Sequence, residues 1–230
     1  MSAAPDIDAA PRRAWRQRVG IPLNVLLFLL LMVMAWGSVR GFFAHPARAI
    51  MAALLVASIP IMTLSTSGRS RGVAHAADDR RFFPLLVAHS LFTAWVMPYM
   101  DARSLFVLPG GDALRWLGLA LFAFGIALRA AAMLTLGGRF ASVVAVQASH
   151  RLHTGGVYAW VRHPSYLGIY LMDLGYAGLF RSIVALLVLP VVVWMFERRM
   201  AVEERFMVEQ FGDAYRAYMA RVPRVLPGVR

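Results

Sequence analysis

The sequence contains no cysteine and no lysine, and its 12 acidic residues are half as many as its 24 basic ones, all of them arginine. Without cysteine the chain forms no disulfide, no thiolate metal site and no cysteine nucleophile. Charge of either sign is scarce, at 16% of residues against 60% in the hydrophobic set, which is too apolar for a soluble domain of 230 residues. A net charge of +12 raises the question of nucleic acid, but the arginines are not gathered on one polar face. They lie between apolar runs, which excludes nucleic acid as a partner and implies membrane lipids, whose anionic headgroups attract such loops.

A helix crosses a hydrocarbon core of about 30 Å with roughly 20 apolar residues. Residues 1–20 are polar, Pro/Ala-rich and carry four arginines. The run from Pro22 to Val39 is too long for a signal-peptide core and is followed by no clear small-residue cleavage site, so it reads as an anchoring helix. Further spans are expected over about Ala49 to Leu64, Phe82 to Met100 and Leu114 to Leu136. The last apolar region, Ser165 to Phe196, is too long for one span and breaks near Phe180, Arg181 and Ser182, so two helices in a hairpin are expected. The fold class is therefore all-α, a polytopic transmembrane bundle of five or six membrane helices ending in a cytoplasmic amphipathic helix.

With the N-terminus inside, 18 arginines fall in cytoplasmic segments and five on the other side: Arg40, Arg48, Arg103, Arg115 and Arg181. That bias supports N-in orientation and brings 137–164 and 197–230 to one membrane face. The chain divides into a cytoplasmic segment (1–20), four transmembrane helices (21–136) and a polar-rich C-terminal core with a loop, the hairpin and the final helix (137–230). Arg129 and Asp173 lie inside spans, where charge is costly, so they either pair with one another or Asp173 lines a cavity. His89 reads as a hydrogen-bonded interior residue.

Three of the six histidines fall in the stretch from Gly137 to Tyr166, with Gly137, Gly138, Gly155 and Gly156 permitting tight turns. Pro164 suits the first position of a helix, and the N–H groups there, with Arg162 beside them, are placed to hold a carboxylate. His163 is a candidate ligand contact at that helix end. His150 and His153 lack cysteine or carboxylate partners, so no metal site is expected. In the tail, Met207, Phe211, Tyr215, Tyr218 and Val222 form an apolar stripe, with a bend expected at Gly212. Arg199 and Glu203, four apart, share a helix face where the chain leaves the bilayer, and Glu204 points about a quarter turn away.

Three segments in order, HRLHTGGVYAWVRHPSYLG from His150 to Gly168, EERF from Glu203 and FGDAYRAYMARVPRVLP from Phe211 to Pro227, resemble the isoprenylcysteine carboxyl methyltransferase family over about the last 95 residues. The resemblance implies an integral membrane enzyme, of a bacterial-type inner membrane here, that binds S-adenosyl-L-methionine in a cytoplasmic pocket formed by the 137–230 core. Carried over by position, the cofactor contacts are His150, Arg151, Leu152, His153, Tyr158, His163, Pro164, Ser165, Tyr166 and Glu203, with Gln147 joining them although the preceding loop is shorter here. His153 stands where an apolar residue is common, so its backbone is expected to matter more than its ring. Arg199 corresponds to the residue that orients the carboxylate of a lipophilic acceptor, making Arg199 and Glu203 the catalytic pair. Methylation of a lipid amine or a small thiol by the same scaffold stays open at this stage, as does a membrane scaffold or transporter. Sterol-type reductases, which use NADPH, tend to carry asparagine before the tyrosine where this chain has Ser165.

Overall fold

The computed structural model describes residues 9–66, 79–136 and 152–226. Eight α-helices are described there: α1 (Ala9–Trp36), α2 (Val39–Phe43), α3 (Pro46–Thr66), α4 (Asp79–Ala102), α5 (Gly111–Leu136), α6 (Pro164–Leu179), α7 (Ile183–Phe211) and α8 (Asp213–Arg221). Apart from one bridge pairing Val107 with Ser182, the regular structure of the described residues is helical. Among the described residues, three helical stretches have the length and apolarity to cross a membrane: Val19–Trp36, Pro46–Thr63 and Gly111–Leu136. α4 packs on α1 and α7, and α6 packs on α5 and α7. Large apolar side chains such as Leu23, Leu30, Leu117, Phe124 and Leu134 point outward, more than half exposed, on a surface suited to lipid rather than water. The chain is an integral membrane protein.

The first helix departs from its expected bounds. It starts at Ala9 and ends at Trp36, because Gly37 takes a φ of +88° that only glycine adopts readily. Ser38 then caps α2, its hydroxyl accepting from the Gly41 N–H at 3.1 Å, so Val39 belongs to the next helix. The expected hairpin is present: α6 and α7 meet through Phe180, Arg181 and Ser182, and the Ser182 hydroxyl caps α7 by accepting from Ala185 N–H at 3.2 Å. α7 continues 15 residues beyond Phe196 and ends where Gly212, at φ +53°, makes the expected bend into α8.

α5 and α6 are held against each other by glycines seven residues apart on each helix. A Cβ at Gly118 would lie 2.3 Å from Leu179 N, one at Gly175 2.4 Å from Phe122 N, and one at Gly125 2.6 Å from Gly168 O. Backbone therefore touches backbone, the small-residue packing available to helices in lipid. At the α5 N-terminal end of this seam the Asp101 side chain is fully buried and accepts two hydrogen bonds from Arg115, at 2.6 and 2.8 Å. Arg181 Nη2 adds a third at 3.1 Å, and Arg48 Nη1 stands 4.0 Å away. Three of the five arginines placed on the arginine-poor side thus converge on one buried acid, tying α3, α4, α5 and the hairpin turn together at the end opposite the site described next.

Candidate active site

At the other end of α5 and α6 the chain makes a 3-10 turn, Gly156–Ala159, with Gly156 at φ +59°, and Pro164 opens α6 as expected. The C-terminal tail is paired onto this segment. Arg162 N–H donates to Pro223 O at 2.8 Å and His163 N–H to Arg224 O at 3.0 Å, while Tyr218 OH donates to Tyr158 O at 2.6 Å. The Arg162 side chain donates to Met219 O at 2.9 Å and to Val222 O. One expectation is corrected here: the Arg162 guanidinium is not available to a ligand carboxylate, and in the first turn of α6 the N–H groups of Tyr166 and Leu167 donate to His163 O, both at 3.1 Å. Backbone carbonyls of the tail and a carboxylate of the chain itself engage the guanidinium.

That carboxylate is Glu204. Its side chain is 4% exposed, 2.9 Å from Arg162 Nε, 3.1 Å from His163 Nε2 and 3.1 Å from Arg224 Nε. Arg224 also reaches Glu197 at 2.8 Å. Burial pushes the Glu204 carboxyl up, but hydrogen bonds from His163 and Arg224 and the nearby charge of Arg162 outweigh it and hold it at about 2. Those same bonds from Glu204 push the Arg224 guanidinium further up.

Glu203, next to it, faces elsewhere and keeps 23% of its side chain exposed. Arg199 Nε donates to Glu203 Oε1 at 3.1 Å and to Tyr166 OH at 3.0 Å, and the Tyr166 hydroxyl donates in turn to Glu203. His163 Nδ1 stands 3.7 Å from Glu203 Oε2, so His163 lies between the two glutamates. Phe82 of α4 covers the guanidinium with its ring centroid 4.5 Å from Arg199 Cζ, and Phe196 packs against Tyr166. The expected Arg199 and Glu203 pair is therefore part of a three-membered cluster with Tyr166 at the polar end of the hairpin, in which Arg199 is buried and Tyr166 and Glu203 are half-buried.

The remaining candidates fall around this cluster. Ser165 accepts from Arg129 Nη1 at 2.7 Å, and Pro164 is fully buried behind it. Asp173 pairs with His89 across α4 and α6 at 3.3 Å, so the Arg129 to Asp173 pairing does not form. The His153 ring stands edge-on to Tyr158 at 6.0 Å, and its Nε2 is buried without a hydrogen-bond partner. Its side chain is thus a candidate contact alongside its backbone. Burial, then Tyr218 and the negative charge of Glu203, push the Tyr158 hydroxyl up, so it stays protonated at neutral pH. Leu152 is half-buried at the start of this segment, whereas Gln147, His150 and Arg151 lie outside the described residues. Glu204, Arg224 and Phe82 were not singled out as site residues by the sequence reading. The signal that points to Glu204 is the shortage of acid: a carboxylate among so many arginines is drawn into pairing.

Comparison with known proteins follows the same lines. Residues 116–209 match the model of the isoprenylcysteine carboxyl methyltransferase family. The protein-S-isoprenylcysteine O-methyltransferase of Schizosaccharomyces pombe is 38% identical over 112 residues, covering 47% of this chain and 48% of that protein. The Homo sapiens enzyme of the same name is 40% identical over 116 residues, 49% of this chain and 41% of its own. The match to the B form of Arabidopsis thaliana runs longer, 29% identical over 162 residues, 67% of this chain and 82% of the plant protein. The chain thus spans about half the length, or less, of the yeast and human relatives. A solved eukaryotic intramembrane Ras methyltransferase, an isoprenylcysteine carboxyl methyltransferase, superposes with a TM-score of 0.56 at 22% identity, over 89% of this chain and 74% of that one. Residues 116–209, from the second turn of α5 to the last turn of α7, are thus similar to the isoprenylcysteine carboxyl methyltransferase family, and the bundle that carries them shares the fold of the solved membrane methyltransferase.

Proposed function

We propose that the chain transfers a methyl group from S-adenosyl-L-methionine to the carboxylate of a lipophilic acceptor of the isoprenylcysteine class, on the cytoplasmic face of a bacterial-type inner membrane with both termini inside. The observation that carries this reading is the cluster of Arg199, Tyr166 and Glu203 where α7 passes from its apolar run into charged sequence. A cation and an anion are held there side by side at the boundary between lipid and water, which suits an acceptor with a polar head and an apolar tail.

The residues present fit the cofactor. Glu203 keeps an accessible carboxylate that can face a cation, and the buried His153 Nε2 has a hydrogen-bonding position left for a ligand. The segment from Gln147 through His150, Arg151, Leu152, His153 and Tyr158 to His163, Pro164, Ser165 and Tyr166 would hold it together with Glu203. When bound, the cofactor supplies an activated methyl electrophile. An acceptor carboxylate is already ionised at neutral pH, so it needs no general base and the protein has only to align it and exclude water. Arg199 orients that carboxylate. Tyr166 fixes the Arg199 Nε edge, and Phe82 covers the guanidinium and keeps water from it. Because the family match begins in α5, the 137–230 core we propose draws its support from the last turns of that helix as well.

Calorimetric titration of the purified full chain tests the cofactor assignment. S-Adenosylmethionine is expected to bind and NADPH not to, and Glu203→Gln is expected to weaken the binding about tenfold or more through loss of a charged contact. No heat of binding with S-adenosylmethionine would sink the proposal.

A further inference from the structure

The two faces of α7 meet different surroundings. Val192, Met195, Phe196, Arg199 and Glu204 are buried against the rest of the bundle. The outer edge carries Leu187, Val191 and Trp194, each more than half exposed, and beyond them Arg198 and Arg205, both exposed. These five residues follow one another at spacings of four, three, four and seven, so they share one stripe along the helix. The stripe is apolar as far as Trp194 and cationic from Arg198 on, and the apolar run of the helix ends between the two, at Phe196. A lipid-facing stripe that finishes in tryptophan and arginine marks the level at which hydrocarbon gives way to headgroups.

The Arg198 guanidinium stands 5.1 Å from the centre of the Trp194 ring, which holds it by a cation–π contact at that level. Among the described residues no carboxylate lies within ion-pair distance of Arg198 or Arg205. The nearby acids have other partners: Glu197 pairs with Arg224, Glu203 with Arg199 and Glu204 with Arg162. Glu209 follows on the same stripe, but it lies about 16 Å from Arg198 along the helix, on the side away from the apolar run. A strip of hydrocarbon leading to two cations without an acid partner matches a molecule with acyl chains and a negative head. We infer that this edge of α7 binds an anionic membrane phospholipid, its phosphate on Arg198 and an acyl chain along Leu187, Val191 and Trp194. A guanidinium can meet two phosphate oxygens at once, and Arg205 adds attraction from further out. A zwitterionic headgroup brings an ammonium that the second arginine repels, so the site favours a head with net negative charge. The inference is independent of the methyl-transfer reading.

Native mass spectrometry of the full chain, released from detergent micelles doped with equal phosphatidylglycerol and phosphatidylcholine, tests it. The wild-type chain is expected to retain phosphatidylglycerol in preference. Arg198→Gln is expected to lower that preference about fivefold, and Arg198→Gln combined with Arg205→Gln to lower it further. Arg216→Gln, which alters an exposed arginine of α8 outside the stripe, is expected to leave it unchanged. Equal retention of both lipids by the wild type, an unchanged preference in the double variant or the same loss in Arg216→Gln would each overturn the assignment. So would displacement of the phospholipid by an equal concentration of inorganic phosphate.

Discussion

Glu203 and Glu204 are adjacent on α7, but the helix turns them to different surroundings, and only Glu204 is closed in by Arg162, His163 and Arg224. Its folded-state carboxyl sits at about 2 against an ordinary 4.5. A carboxyl depressed on folding contributes stability that is complete above its unfolded value and fades as pH falls through the folded one. The shift corresponds to roughly 3 kcal/mol, which joins the tail after α8 to the start of α6. Glu204→Gln is therefore expected to lower the unfolding temperature in detergent at pH 7, with the deficit shrinking between pH 4.5 and 2. Thermal unfolding across that range checks it, and a deficit that persists unchanged at pH 2 contradicts it.

The elements are set mainly by contacts that side-chain chemistry does not reveal locally. Along α5 and α6 the absence of a Cβ at Gly118, Gly125, Gly168 and Gly175 lets the two backbones touch, and the seam carries Arg129 to Ser165. Gly175→Ala would place its Cβ 2.4 Å from the Phe122 amide nitrogen, so the helices have to part. The expected cost is about 1–3 kcal/mol, read as a lower unfolding temperature. Gly20→Ala, which meets nothing within 4 Å in α1, is neutral or slightly stabilising by the same assay. Local chemistry did mark the start of α6 at Pro164, the hairpin break at Arg181 and Ser182, and the bend at Gly212. Each of these depends on one residue's own dihedral preference or hydrogen bond. The glycine seam is visible as two pairs seven apart, but spacing does not say which helix faces which. Asp101 likewise gathers Arg115 from 14 residues away and Arg181 from 80, and Glu204 takes Arg162 from 42 away, separations at which a sequence carries no local trace.

At the scale of the whole molecule, scarcity of acid organises both ends of the bundle. One buried carboxylate, Asp101, ties the helices at one end, and Glu204 ties the tail at the other. Arg199 and Glu203 at that second end were legible from their four-residue spacing and the family's motif, whereas Tyr166 as their common partner required the fold. Because the chain has no cysteine, its orientation can be read with single introduced thiols. In intact cells a membrane-impermeant maleimide is expected to label Ser104→Cys and to spare Ala220→Cys, both exposed positions, and the reverse pattern contradicts the N-in arrangement. The central claim, methyl transfer to a carboxylate, is tested most directly by incubating the chain in nanodiscs with methyl-labelled S-adenosylmethionine and a prenylcysteine analogue, then treating the product with alkali. The account predicts label that alkali releases as methanol, the mark of a methyl ester, and its loss in Arg199→Ala. No transfer, or label that survives alkali as an N-methyl or S-methyl group would, contradicts it.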